Sequence, residues 1–424
     1  MQHIGNLTII ALVILNIVVW LVFPPVYDGD PNFLRKYAGE VIGSNNIVLM
    51  ACSLFLATRP KWAEKYFGGL DKMYITHRHT GTAALLLIFV HVLTVPISTT
   101  GWRLGNYLAV ISFAGIVSIV LVTLAPRIPF LNRLAGADYE DWKKLKRWIG
   151  IFFILGFFHS LTVDALDART AITWTMIFFI IGTVSYLYTE VFSGIFKKSL
   201  PYKVEAVKHP NNSSTEVTLR PKKEPIKKQR AGQFLFVRFP SDKALNQSHP
   251  FTISSAPAED VLRLTIKASG NFTRDLFAKL KEGADAVIEG AYGMFDYKTG
   301  GMKQIWIAGG IGVTRFLSFI RAMNGSLTHV VDFYYTVRHP EEALFLDEIK
   351  AADERNPRLK TYVRFSATQG SLTIDHILKN TSGNIKDYHV YLCGPLPMIQ
   401  AFEQKFLALG LPKRQIHFEE FNFR

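Results

Sequence analysis

Residues 59–94 read RPKWAEKYFGGLDKMYITHRHTGTAALLLIFVHVLT. A basic, aromatic approach runs into an apolar stretch, Thr80–Thr100, with His91 deep inside it and His77 and His79 at its entrance. About 20 apolar residues cross a hydrocarbon layer of about 30 Å, so this is the pattern of a bilayer-spanning helix. A histidine within such a helix is expensive and marks function by default. Five further runs share the pattern: Ile4–Phe23, Val41–Thr58, Leu104–Ala125, Trp148–Val163 and Thr170–Thr189. Six spans are therefore predicted in the first half; the fifth, the shortest, relies on its basic flank reaching the interface. The first run lacks a basic leader and an A-x-A site, so a retained helix is expected.

The composition agrees. The 424 residues are 49% apolar, 13% aromatic and only 19% charged, with a mean hydropathy of +0.16. Such averages exclude a disordered or fibrous chain and are too apolar for an ordinary cytosolic enzyme. A net charge of +14 would suit a nucleic-acid binder, but basic loops between spans account for it and no nucleic-acid partner is expected. The cysteines, Cys52 and Cys393, sit in neither CxxC nor CxxCH. That excludes a disulfide framework, thiolate-held zinc or iron–sulfur clusters, and thioether-attached haem. The loops Arg59–His79 and Pro126–Arg147 carry eleven Lys and Arg, against Arg35, Lys36, Arg103 and Arg169 in the alternate loops. The positive-inside rule then puts both termini in the cytoplasm of a multi-pass protein of the inner (plasma) membrane.

His159 lies in the fifth span as His91 does in the third, both toward the outer end. Neutral imidazoles from two facing helices are what six-coordinate haem iron requires; the alternative is that each ring bonds a neighbouring helix. His77 precedes His91 by 14 residues. At about 100° and 1.5 Å per residue the two face one side, within about 40°, about 21 Å apart, which suits a second site near the inner leaflet. His79 points elsewhere.

After Lys197–Lys198 the chain changes to short β-type runs, Glu216–Leu219, Phe234–Phe239, Val261–Lys267 and Ala286–Glu289. From Lys303 it alternates strand, glycine turn and helix: Gln304–Ala308, Phe316–Met323, His329–Thr336, Leu359–Phe365, His389–Leu392. The fold class expected is an all-α six-helix membrane bundle over 1–196, fused to a soluble antiparallel β-barrel over about 201–300 and a parallel α/β nucleotide-binding domain over about 301–424. Pro221–Arg230 (PKKEPIKKQR) is read as a basic loop near an anionic leaflet.

Four motifs stand in the second half. HPFTISSAP (His249–Pro257) is either an ordinary barrel strand or one whose backbone and hydroxyls bond a flavin. GNFTRDL (Gly270–Leu276) turns into a helix whose N–H groups, with Thr273, could hold a pyrophosphate. AGGIGVT (Ala308–Thr314) joins strand to helix with glycines that let a phosphate approach. YLCGP (Tyr391–Pro395) ends another strand; a buried structural thiol is the plain alternative for Cys393.

Together these motifs, with the approach to the third span, resemble the ferric reductase and NADPH oxidase superfamily over nearly the whole chain. The resemblance implies FAD held by His249, Pro250, Phe251, Thr252 and Ser254, with Gly270 and Thr273 at its pyrophosphate. It implies Gly309, Gly310, Gly312 and Thr314 around the phosphates of NADPH. Cys393, Gly394 and Pro395 would lie at the nicotinamide, and Phe423 of the C-terminal FNFR over the flavin ring. Arg315 stands where relatives often carry proline, and is read as a cation beside the phosphate site. Members usually carry a second histidine 13 or 14 residues before the outer one of the fifth span; here Lys146 and Leu145 stand there. A neutral Lys amine is costly at a hydrated interface. One firmly bound haem b is therefore expected, at His91 and His159. The inner site is expected to be empty, five-coordinate or weakly held by His77 and Lys146.

The expected activity is a transmembrane NADPH-dependent oxidoreductase delivering electrons outward to a small acceptor, Fe(III) chelate or O₂. The alternatives are a donor subunit for a quinone or partner protein, and a haem-binding membrane protein without turnover. Arg338, at the end of the strand after the glycine turn, is expected to pair with the 2′-phosphate of NADPH. Arg103 and Arg169 are the outer cations near the haem's expected height; they either attract an anionic acceptor or stabilise superoxide there, or simply anchor the interface.

Overall fold

The computed structural model describes residues 4–97, 101–124, 145–163, 166–193, 199–323 and 327–419. It forms two compact units, Met1–Gly68 with Lys72–Phe196, and Gly69–Asp71 with Lys197–Arg424.

Among the described residues, six long helices build the first unit: α1 (Ile4–Val22), α2 (Phe33–Ala57), α3 (Leu70–Thr94), α4 (Leu104–Leu124), α5 (Ile149–Thr162) and α6 (Arg169–Leu187). Four segments, Ile4–Val22, Phe33–Ala57, Leu104–Thr123 and Arg169–Phe192, are long and apolar enough to cross a membrane. Helix α3 has the length but carries Asp71, Lys72 and Arg78, and α5 has only 14 residues. Leu7, Ile10, Leu86, Leu93, Val110 and Ile180 are exposed on the helices, as expected for side chains that face lipid. Polar groups join the helices from within. Asn16 donates to Ser44 at 2.9 Å, Asn46 to the Ala84 carbonyl at 2.8 Å, and Ser112 to the Phe152 carbonyl at 2.7 Å. Between α5 and α6, Phe157 stacks on Phe179 at 3.5 Å.

Two helices start earlier than their apolar runs predict: α2 at Phe33 instead of Val41, α3 at Leu70 instead of Thr80. Polar residues extend them because their side chains find partners. Lys36 pairs with Asp30 at 2.7 Å, Arg35 donates to the carbonyls of Thr94 and Val95, and Glu40 accepts from the Leu166 N–H at 2.6 Å. Arg35 and Lys36, assigned to a loop from the sequence, therefore lie on a helix.

In the second unit, six strands form an antiparallel sheet in the order β4-β3-β6-β1-β2-β5. They are β1 (Leu200–Asn211), β2 (Ser214–Pro221), β3 (Phe234–Arg238), β4 (His249–Thr252), β5 (Leu262–Lys267) and β6 (Asp285–Tyr292). An antiparallel bridge, Ile253 to Leu264, joins the two edges of the sheet. Strand β1 was not among the predicted runs, since lysines, a glutamate and a histidine mask its alternation; yet Tyr202 and Val204 point inward, each 1% exposed. Helix α7 (Asn271–Lys279) packs Phe272 and Leu276 into the same core.

The second sheet is parallel, ordered β11-β10-β7-β8-β9: β7 (Lys303–Gly309), β8 (Val330–Val337), β9 (Leu359–Phe365), β10 (Tyr388–Cys393) and β11 (Ile416–Phe418). Helices α8 (Val313–Ala322) and α9 (Leu346–Arg355) bury one face, through Phe316, Phe319 and Ile349. Helices α10 (Ile374–Leu378) and α11 (Leu396–Ala408) bury the other, through Ile377, Phe402 and Phe406. Helices on both faces make this sheet doubly wound, and its strands are near-continuous apolar runs for that reason.

Candidate functional site

In the first unit the rings of His91 (α3) and His159 (α5) lie next to each other, centroids 6.3 Å apart and planes inclined at 78°. Each Nδ1 is bonded to a carbonyl, His91 to Gly39 at 2.8 Å and His159 to Gly105 at 2.9 Å. A carbonyl only accepts, so Nδ1 carries the proton and Nε2 keeps its lone pair. A metal–imidazole bond of about 2 Å plus about 1 Å from nitrogen to ring centre, on each side, comes to about 6 Å. The observed spacing therefore fits one iron between two imidazoles. Among the described residues no cluster of three or more His, Cys, Asp or Glu forms, so the fit is to a metal that brings its remaining ligands, as haem iron does.

Gly105 makes this geometry possible. A Cβ there would lie 2.6 Å from the Val163 nitrogen and 2.8 Å from the Thr162 carbonyl carbon. Only glycine lets α4 come close enough to offer its carbonyl to His159.

His77 repeats the arrangement at the other end of α3, its Nδ1 lying 2.9 Å from both the carbonyl and the hydroxyl of Ser53. Gly39 and Ser53 are 14 residues apart on α2, as His77 and His91 are on α3. The two helices thus carry two equivalent rungs. On α5 only the outer rung has a histidine. His79 is exposed. Of the expected outer cations, Arg103 is exposed and Arg169 is an exposed partner of Asp167 at 3.5 Å. Arg35, one turn before Gly39, is the cation docked on the end of α3 beside His91.

In the second unit His249 opens β4 and stacks on Phe272 of α7, centroids 3.9 Å apart, with Phe251 at 6.2 Å from the same ring. Pro250 and Phe251 are half-buried and Thr252 is buried. The hydroxyl of Ser254 is fully buried and donates to the Arg263 carbonyl at 3.0 Å. It fixes the strand. Thr273 accepts from the N–H groups of Ser269 and Gly270 at 2.9 Å and donates to the Gly270 carbonyl, so its hydroxyl caps α7. Space above Gly270 is open.

The glycine turn runs from β7 into α8. Gly310 has a φ of +54° with nothing above it, whereas a Cβ on Gly312 would lie 2.2 Å from the Cys393 carbonyl oxygen. One side of the turn is open, as a phosphate cradle requires, and the other is packed on β10. A Cβ on Gly394 would come within 3.0 Å of Gly309, so AGGIGVT and CGP, whose first residues are 85 positions apart, share one strand-end site. Pro395 starts α11. Thr314 is buried and donates to the Ile311 carbonyl at 3.0 Å. Cys393 is 7% exposed, and burial pushes its thiol up to about 11 while Arg315 acts the other way. Arg338 is exposed at the end of β8. Phe423 lies outside the described residues.

One reading is corrected. Arg315 is not a cation beside the phosphate turn; it is fully buried in an ion pair with Glu419 at 2.6 Å. The first turn of α8 points it into the core. Sequence reasoning missed Gly39, Ser53, Gly105 and Glu419. The 14-residue spacing of Gly39 and Ser53, mirroring the histidines, was the available signal for two of them.

Comparison with known proteins agrees with this division. Residues 42–112 match the ferric reductase like transmembrane component, 199–312 an FAD-binding domain and 306–404 the oxidoreductase NAD-binding domain. The chain is 26% identical to the ferredoxin reductase component of 3-ketosteroid-9-alpha-monooxygenase of Rhodococcus rhodochrous, over 46% of this chain and 56% of that protein. It is 24% identical to the flavohemoprotein of Xylella fastidiosa (strain Temecula1), over 46% of this chain and 52% of the other. The chain spans about half the length of these curated relatives. The crystal structure of flavohemoglobin from Malassezia yamatoensis with bound FAD and heme superposes with a TM-score of 0.52 at 17% identity, covering 91% of this chain and 97% of that one. At that identity the likeness concerns the fold. Among the described residues four helices are long and apolar enough to cross a membrane, and a ferric reductase like component precedes FAD- and NAD-binding domains. That order of parts matches the architecture of the ferric reductase/NADPH oxidase superfamily.

Proposed function

We propose that this protein is a transmembrane oxidoreductase of the inner (plasma) membrane that takes electrons from cytoplasmic NADPH and delivers them to a small acceptor outside. The observation that carries the reading is the His91–His159 pair: rings 6.3 Å apart, each with its Nδ1 committed to a carbonyl. Carbonyl-bonded imidazoles are oriented and made more basic toward a metal at Nε2. When bound, FAD converts two-electron hydride donation into single electrons, which haem b carries.

The chain's own residues perform the rest. Six helices span the bilayer with both termini cytoplasmic, over 1–196. The first sheet, closed by the Ile253–Leu264 bridge, forms a flavin-binding barrel over 201–300, and 301–424 holds the nucleotide. His249, Pro250, Phe251 and Thr252 line the flavin on β4, and Ser254 holds that strand in place. Gly270 and the cap of α7 receive the pyrophosphate. Gly309, Gly310 and Gly312 admit the nucleotide phosphates, with Thr314 fixing the turn. Cys393, Gly394 and Pro395 bound the nicotinamide, and Arg338 meets the 2′-phosphate. Cys393, neutral and buried, shapes this site without supplying a thiolate. Lys146 lies within electrostatic reach of His77, and the inner rung has one histidine, so one haem per flavin is held firmly.

The full-length protein in lipid nanodiscs, assayed alone, tests this. NADPH-dependent reduction of a ferric chelate without oxygen, or superoxide formation in air, supports it. Turnover that appears only with added quinone or a partner protein would overturn the acceptor assignment, and two haems per flavin would overturn the single firm site.

A further inference from the structure

Arg315 occupies the first turn of α8, directly after the glycine turn, and is fully buried. Its Nη1 donates to Glu419 Oε2 at 2.6 Å, and Glu419 is itself 4% exposed. The other carboxylate oxygen accepts from the N–H groups of Met294 at 2.5 Å and Phe295 at 3.1 Å. The guanidinium also lies 5.0 Å over the Phe295 ring. Three remote segments thus converge on one carboxylate: the exit of β6, the start of α8 and the end of β11. They do so within electrostatic reach of Cys393, whose strand end packs on the glycine turn.

A buried ion pair is weak support for stability, because apolar replacement of both partners is often neutral. Its geometry is what such a pair specifies. Glu419 is the only acceptor given to the Met294 and Phe295 N–H groups among the described contacts. Arg315 fixes that acceptor against the core.

We propose that Arg315 is a positioning residue for hydride transfer: through Glu419 it holds the Met294–Phe295 backbone and the end of β11 in register with the Cys393 strand end, where nicotinamide and flavin meet. The proposal rests on the NADPH-and-flavin reading above. The groups the clamp holds, the Met294–Phe295 backbone and the end of β11, are not those assigned to adenosine or phosphate, so displacing it acts on the reaction geometry and little on nucleotide affinity. Misplacement by about 1 Å can slow a reaction by about 10²-fold.

The test is anaerobic stopped-flow flavin reduction by NADPH in the full-length protein, with rates taken per bound flavin. Arg315→Met strands the carboxylate and is expected to lower the limiting rate by about tenfold or more, with the NADPH dissociation constant changed by less than about threefold. Arg315→Lys keeps the charge and is expected to stay within about threefold of wild type. The double variant Arg315→Met/Glu419→Gln keeps an acceptor for both N–H groups without a stranded charge, and is expected between wild type and Arg315→Met. Should Arg315→Met yield no protein, the lysine and double variants decide. Wild-type limiting rates in Arg315→Met, or in the double variant, would overturn the proposal, as would losses confined to flavin content and Tm. A wild type whose flavin is reduced by neither NADPH nor NADH would instead refute the underlying reading.

Discussion

Gly105→Ala adds one methyl group at the closest approach of α4 and α5. The new Cβ would sit 2.6 Å from the Val163 nitrogen and 2.8 Å from the Thr162 carbonyl carbon. Carbon contacts settle at about 3.5 Å, so the helices must part by about 0.8 Å. The bond from His159 Nδ1 to the Gly105 carbonyl, now 2.9 Å, would lengthen to about 3.7 Å, beyond a useful hydrogen bond. Loss of such a carbonyl typically weakens metal affinity by about 10- to 100-fold, and overpacking adds about 1–3 kcal/mol against the folded bundle. Gly81→Ala is the matched control on α3, since its Cβ would meet only the Ser53 hydroxyl oxygen, at 3.6 Å. The assay is haem released per flavin released, with the haem midpoint potential, for wild type and both variants in nanodiscs. Gly105→Ala is expected to lose haem or raise its potential while keeping flavin, because an imidazole without the carbonyl bond is a weaker donor to ferric iron, and Gly81→Ala to match wild type. Equal haem content and equal potential in the two variants would refute the reasoning.

Arg338→Ala should lower kcat/KM for NADPH by about 10- to 100-fold, the worth of one charge-assisted bond of about 1.5–3 kcal/mol, and leave NADH unchanged; an unchanged NADPH/NADH ratio removes Arg338 from the site. Asp332 is 6% exposed, and burial pushes its carboxyl from 3.8 up to about 6, with Lys360 acting the other way. Its folded pKa is raised, so its contribution is complete below about 4 and is lost as the pH rises through about 6. Asp332→Asn should therefore raise Tm at pH 7.5, by at most about 3 kcal/mol in stability, and do little at pH 4. Cys393, pushed up to about 11, should resist alkylation at pH 8 until the protein unfolds; rapid labelling of the folded protein would contradict its burial.

The chain's division was legible because each half carries its own period. Runs such as Leu104–Leu124 carry no charge and admit one reading in a bilayer, and the parallel strands flank glycine turns that only a βα unit explains. Helix starts were less legible. Arg35 and Glu40 extend α2 through bonds to residues about 60 and 126 positions away, which no local pattern reveals. The histidines were visible as polar atoms in apolar runs, whereas their carbonyl partners were not, since any residue offers a carbonyl. Arg315 shows the opposite limit. Beside a glycine turn a cation reads as a phosphate partner, and only the fold shows that it meets Glu419, 104 residues on.

The central claim is that NADPH reduces a haem held between His91 and His159. It is tested most directly by adding NADPH anaerobically to the purified full-length protein and recording the haem and flavin spectra together. Wild type should show flavin reduction followed by the sharp bands of a reduced six-coordinate haem. His91→Ala and His159→Ala should each reduce flavin at the wild-type rate and lack those bands. A haem spectrum unchanged in both variants, or a wild-type haem that stays oxidised while its flavin is reduced, would contradict the account.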